Sequence, residues 1–178
     1  AELGIPRIAI GSYFSTRNRG IARDLFGFCA NHAVLVLPCD LTSSFRNFLL
    51  LVRDHLRAVQ PHGELPYELL AEELDAWGVK LPHIQSHVSV ATPHADLEFD
   101  SLRLTFSDEF ALRAMPPGFG LQFGKEHGDE CFAAFDAHSY RPEAVRAFLN
   151  TVSRFLDIVS RHPDISLNEA VATANRRG

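Results

Sequence analysis

Seven apolar side chains near the end of the chain, Val145, Phe148, Leu149, Val152, Phe155, Leu156 and Val159, recur at intervals of three and four until Pro163 stops the run. A helix with so broad an apolar stripe is held mainly by what the stripe covers, so the rest of the chain must supply a flat apolar layer beneath it. A second stripe, Phe45, Phe48, Leu49, Val52, Leu56 and Val59, makes the same demand, with Asp40, Thr42 and Ser43 as candidate caps. Both stripes read as core. Arg7-Ile8-Ala9-Ile10-Gly11-Ser12-Tyr13-Phe14 reads as a buried strand that something would precede in a complete domain, and 30–37 as another, stopped by Pro38. From Leu81 the period changes to two: Ile84, Val88 and Val90 alternate with His83, Gln85, His87 and Ser89, then Leu102, Leu104 and Phe106 with Arg103 and Thr105. Phe119, Leu121 and Phe123 continue the alternation, and turn-like segments at 116–118 and 125–130 predict an antiparallel meander over 110–136. A short helix is expected from Pro66, with Glu68 in its first turn, and a last one from the Ser166 and Glu169 capping pair. The fold class is α/β, a mixed sheet with helices packed on it, and residues 1–178 are one unit.

An apolar fraction of 46% over 178 residues suffices for one core and crowds two. The net charge of -5, with acids and bases mixed, leaves no basic stripe to neutralise phosphates and no polybasic block for anionic lipid, so neither nucleic acid nor membrane is an expected partner. No apolar run approaches the ~20 residues that span a bilayer. Three cysteines, Cys29, Cys39 and Cys131, are an odd count without C-x-x-C spacing and read as buried, reduced thiols of a cytoplasmic protein.

Two motifs stand out. Phe26-Gly27-Phe28-Cys29-Ala30-Asn31-His32 runs into a strand, and His62-Gly63-Glu64-Leu65-Pro66-Tyr67-Glu68 opens a helix. They resemble the G-x-F-x-N-T and H-Q-D-x-P-F-E blocks of nonribosomal peptide synthetase condensation domains, members of the chloramphenicol acetyltransferase-like acyltransferase superfamily. Ile8-Ala9-Ile10-Gly11 with Arg17 resembles the strand and turn before the first block. The sequence departs from the pattern at His32, where threonine is usual, at Gly63, Glu64 and Tyr67, and at 75–82, where an arginine-rich block is usual. None of the nine histidines sits in the family's H-H-x-x-x-D-G motif.

The resemblance implies one half, the C-terminal lobe, of a two-lobe fold, forming a wall of a tunnel where the phosphopantetheine arms of two carrier proteins meet as substrates. The histidine that works on the acceptor amine or hydroxyl would then lie on a separate N-terminal lobe, so this chain is expected to hold no catalytic residue and to bind no cofactor itself. Segment 100–118 takes the bridging role toward the other lobe by the same analogy. Arg17, Asn31 and Ser89 are the tunnel-lining candidates. The structural alternative for Arg17 and Asn31 is that they satisfy local turn groups, and Ser89 reads equally as a plain strand serine. His83 and His87 share a strand face but are about 13 Å apart at the usual rise, too far to share an ion, so no metal site is expected. His62 and Glu68 read as pins of a helix start, and Cys29 and Cys131 lack a histidine to activate a thiol. Two other functions stay open: a degenerate condensation-like docking platform for carrier proteins or tailoring enzymes, and an ester-forming acyltransferase with a coenzyme A-linked donor. An exposed lobe surface, at an open edge beside 8–14 and along 100–118, would favour self-association.

Overall fold

The computed structural model describes residues 7–17, 27, 29–90, 97–104, 118–124 and 131–176. Among these residues, seven strands and four helices follow in the order β1 (Arg7–Ser15), β2 (Ala30–Pro38), α1 (Phe45–Val59), α2 (Tyr67–Ala76), β3 (Ser86–Val90), β4 (Leu97–Phe99), β5 (Leu102–Leu104), β6 (Phe119–Phe123), β7 (Cys131–Phe135), α3 (Pro142–Arg161) and α4 (Leu167–Asn175), with a 3-10 turn at Gln60–His62. Five strands form a mixed sheet in the order β2-β1-β3-β6-β7. β1 lies antiparallel to β2 along its whole length, β3 is parallel to both β1 and β6, and β6 is antiparallel to β7. The class is the mixed α/β sheet with packed helices that the patterning predicts.

Alternation along the strands divides the side chains between two faces. One face carries Ile8, Ile10, Leu35, Leu37, Val88, Phe119 and Leu121, and α1 and α3 cover it. Phe119 meets Phe148 of α3 edge-on at 5.4 Å, and Phe45 of α1 meets Phe155 of α3 edge-on at 5.9 Å. Leu35, Leu37, Leu121, Val145, Val159 and Leu167 are buried in this layer. The start of α1 is stitched to the α3–α4 connection by backbone: Phe45 N–H donates to Ile165 C=O, Arg46 N–H to Pro163 C=O and Leu167 N–H to Ser43 C=O. Outside that seam Arg46 pairs with Asp164 through two N–H···O contacts of 2.7 and 3.2 Å.

The joint between β1 and β3 is the narrowest in the sheet, with only Ile10↔Ser86 and Gly11↔His87 in register. Side chains extend it. Gln85 accepts the Ala9 N–H on its side-chain oxygen at 2.8 Å while its own N–H donates to Ala9 C=O at 3.1 Å, and the Ser12 hydroxyl donates to Val88 C=O at 2.8 Å.

Several expectations are corrected. Residues 8–14 are no open edge, because β1 is interior, and among the described residues β2 and β7 are the edges. Pro38 ends its strand as read, standing as the last residue in register with Arg7, which is tolerable because an edge strand can spare an N–H. The cap of α1 is Ser44, whose hydroxyl accepts the Asn47 N–H, while Asp40 closes its own turn onto the Thr42 N–H and hydroxyl. β3 starts only at Ser86, so Ile84 lies outside it. The helical stripes are only partly core: Val145 and Val159 are buried, but Leu49, Phe148 and Leu156 stay 50%, 46% and 44% exposed. The three cysteines are free and half-buried rather than buried. The helix starts at 66–67 and 166–167 stand as read, with the Ser166 hydroxyl accepting the Glu169 N–H. Of the predicted meander, β6 and β7 are described. Residues 110–117 and 125–130, with Phe106 and most of the 100–118 bridging segment, lie outside the described residues.

Candidate functional site

On the other face of the sheet four aromatic rings gather over Gly11. Register sets Tyr13 of β1 opposite His32 of β2 and sets Gly11 opposite His87 of β3, so a glycine is flanked by two imidazoles. The His32 and His87 rings stack at 4.9 Å with 29° between planes. Tyr13 lies tilted against His32 at 5.4 Å, and Tyr67, from the first turn of α2, meets the same ring edge-on at 5.1 Å. A Cβ on Gly11 would stand 2.6 Å from Nε2 of His32 and of His87 and closer still to His87 Cδ2. Only a residue without a side chain fits beneath the pair.

Burial pushes the His32 pKa down, with Glu68 acting against it. His87 is likewise pushed down by burial and then by the adjacent His32. The Tyr13 phenol is raised by burial first and by Glu68 second. Two neutral imidazoles side by side are the outcome at neutral pH. The His32 Nε2 is buried and makes no hydrogen bond among the described residues. Such a pair is poor at holding a positive charge. No group of three or more His, Cys, Asp or Glu that could hold a metal occurs among the described residues.

Next to the cluster, a cavity of about 350 Å³ opens between the end of β1, at Phe14 and Ser15, and the turn carrying Gln60, Pro61, Gly63 and Glu64. Asn31 belongs to its framework. The Asn31 side-chain amide donates to Gly63 C=O and to Glu64 C=O, each at 2.9 Å, tying the start of β2 to the turn that leads into α2. Arg17 reaches Gly27 C=O at 2.6 Å, across the connection between β1 and β2, where Gly27 adopts φ +143°. Both residues therefore act on backbone carbonyls. Ser89 sits elsewhere, two residues beyond His87 on the imidazole-bearing face and in register with Gln122 of β6. His62 closes the 3-10 turn, its carbonyl accepting the Leu65 N–H. Cys131 borders an open cleft of about 730 Å³ beneath α3, and burial pushes its thiol up, the opposite of an activated nucleophile.

The stacked pair is what the sequence reading missed. His32 is visible as a departure from threonine in its block, and His87 as a strand residue weighed only against His83. Their meeting depends on β1 and β3 being neighbours, which no local pattern encodes.

Solved condensation domains share this architecture. The starter condensation domain of rhizomide synthetase matches 93% of this chain and 38% of its own with a TM-score of 0.74 and 18% identity. The first condensation domain of the calcium-dependent antibiotic synthetase matches 93% of this chain and 36% of its own, with a TM-score of 0.70 and 16% identity. The fold is thus that of part of a condensation domain. A dimodular nonribosomal peptide synthase of Bacillus subtilis (strain 168) is 28% identical over 166 residues, which is 88% of this chain and 7% of that protein. The chain thus spans a small share of the curated relative it matches. No family model matches the chain. No helix among the described residues is long and apolar enough to cross a membrane.

Proposed function

We propose that residues 1–178 form the C-terminal lobe of a condensation-type acyltransferase in the cytoplasm, packed against an N-terminal lobe and visited by carrier proteins. The parent would join two carrier-bound substrates by an amide or ester bond. The observation that carries this reading is the match of 93–94% of the chain to only 36–40% of condensation domains. In the reaction the acceptor amine or hydroxyl attacks the donor thioester carbonyl. The new C–N or C–O bond replaces the C–S bond, the donor arm departs as its thiol, and the acceptor proton passes through a histidine of the other lobe. This chain then contributes shape. The Ser89 face of the sheet would line the passage, with Arg17 and Asn31 holding the loops at its mouth through the carbonyls described above.

Acyl transfer between loaded carrier proteins, run with the parent polypeptide and with this chain alone, tests the proposal. Product is expected from the parent only. Turnover by the isolated chain would overturn the division of labour between lobes, and carrier binding without transfer by the parent would favour a docking platform.

A further inference from the structure

α2 and the residues beside it carry an outward surface that the described elements of the fold do not pack against. Tyr67, Ala71 and Leu74, spaced by four and three, are the half-buried side of the helix, and none of its residues is buried. On the outward side Leu69, Glu73 and the C-cap residue Trp77 follow one another at intervals of four, the spacing that makes a ridge on a helix surface, and Leu65 adds an exposed apolar side chain just before the helix starts. Leu65, Leu69 and Trp77 are 50%, 52% and 73% exposed, with Val79 at 49% just beyond. Exposed apolar side chains scattered singly mean little, but a row of them ending in a tryptophan is the composition of an interface centre.

The charge around the ridge has one sign. Glu64, Glu68, Glu72, Glu73 and Asp75 face only Lys80 over residues 64–80, so five acids against one base give this short stretch a local excess of negative charge, in a chain whose net value is -5. Among the described residues Glu68, Glu72, Glu73 and Asp75 form no ion pair, whereas the carboxylates of Asp54, Asp157 and Asp164 are all paired with arginines. A second copy of the chain would bring acid against acid, and an anionic lipid surface would be repelled.

We propose that this ridge docks a basic amphipathic helix of a separate protein partner, its apolar side on Leu65, Leu69 and Trp77 and its arginines or lysines on Glu72 and Glu73. An arginine reaching Glu73 passes beside the Trp77 ring, where it gains a cation–π contact as well as an ion pair. The surface is separate from the sheet face discussed above and does not depend on whether the parent transfers acyl groups.

Trp77, the single tryptophan of the chain, reports coverage of the ridge directly. The full chain is titrated with a synthetic amphipathic helix of leucine and arginine and, separately, with the same peptide carrying glutamate in place of arginine. A saturable blue shift of Trp77 emission is expected with the arginine peptide alone. The Glu72→Lys/Glu73→Lys variant should weaken binding at least tenfold, and Leu69→Ala several-fold, with unchanged far-ultraviolet dichroism. If the charge-reversed chain loses helix, Glu72→Gln/Glu73→Gln supplies the same comparison with a smaller expected loss. Equal binding of both peptides, indifference to either class of substitution, or no saturable response overturns the proposal. So does a chain dimer, seen by sedimentation, that Leu69→Glu dissociates, since the ridge would then be taken by a second copy.

Discussion

Replacing Gly11 with alanine tests the packing of the imidazole pair. The added Cβ would lie 2.6 Å from both Nε2 atoms, where carbon and nitrogen normally keep about 3.4 Å or more, so each ring must withdraw by most of an ångström. His32 is held between Tyr13 and Tyr67, and His87 is fixed by a strand paired on both sides, so neither ring has an easy retreat. Overpacking against two rings at once belongs in the upper half of the usual range, about 2–3 kcal/mol, and the smaller backbone freedom of unfolded alanine returns about 0.4–1 kcal/mol, leaving a net destabilisation of about 1–2.5 kcal/mol. Urea unfolding of Gly11→Ala beside the parent sequence measures it. The same substitution made in a His32→Ala/His87→Ala background should cost less than half as much, because the space is then open. A neutral or stabilising Gly11→Ala, or an equal cost in both backgrounds, would refute the reasoning.

The imidazoles also set a pH dependence. Both have folded pKa values below the unfolded one, so the unfolded chain binds protons first, and stability should be full above about pH 6.5 and decline as pH falls through the window beneath it. Urea midpoints from pH 7.5 down to 5 should show the decline, and a His87→Phe variant a shallower one; parallel curves would remove the pair from the account. Asn31→Asp keeps the shape but loses the amide donor and sets a carboxylate against two carbonyls, so a loss of about 1–3 kcal/mol is expected in thermal unfolding. Ser44→Ala should cost about 1 kcal/mol through the lost cap of α1, while Ser43→Ala should be nearly silent in the same assay.

The order of elements was readable because each carries its own period. The stripe ending at Val159 could be nothing but a helix, and the capping residues beside Leu167 marked the last one. Burial was harder to read, since a stripe says which side of a helix turns inward and not how far the layer beneath extends: Phe148 and Leu156 run past what covers them. Asn31 reads from sequence as a tunnel-lining candidate or an anchor of local turn groups, whereas the carbonyls it holds, Gly63 and Glu64, lie more than thirty residues on, and only the closed turn identifies them. The imidazole cluster needed more still, since it assembles from β1, β2, β3 and α2.

The short joint between β1 and β3 bears on the order of assembly. β1 and β2 zip together along nine consecutive residue pairs, whereas the contact of β1 with β3 closes a span of 76 residues for only two pairs and a few side-chain bonds. Loop closure is costly and these rewards are few, so the two halves of the sheet are expected to form separately and to meet late. Gln85, gripping both backbone groups of Ala9, then acts as the latch that fixes where they meet.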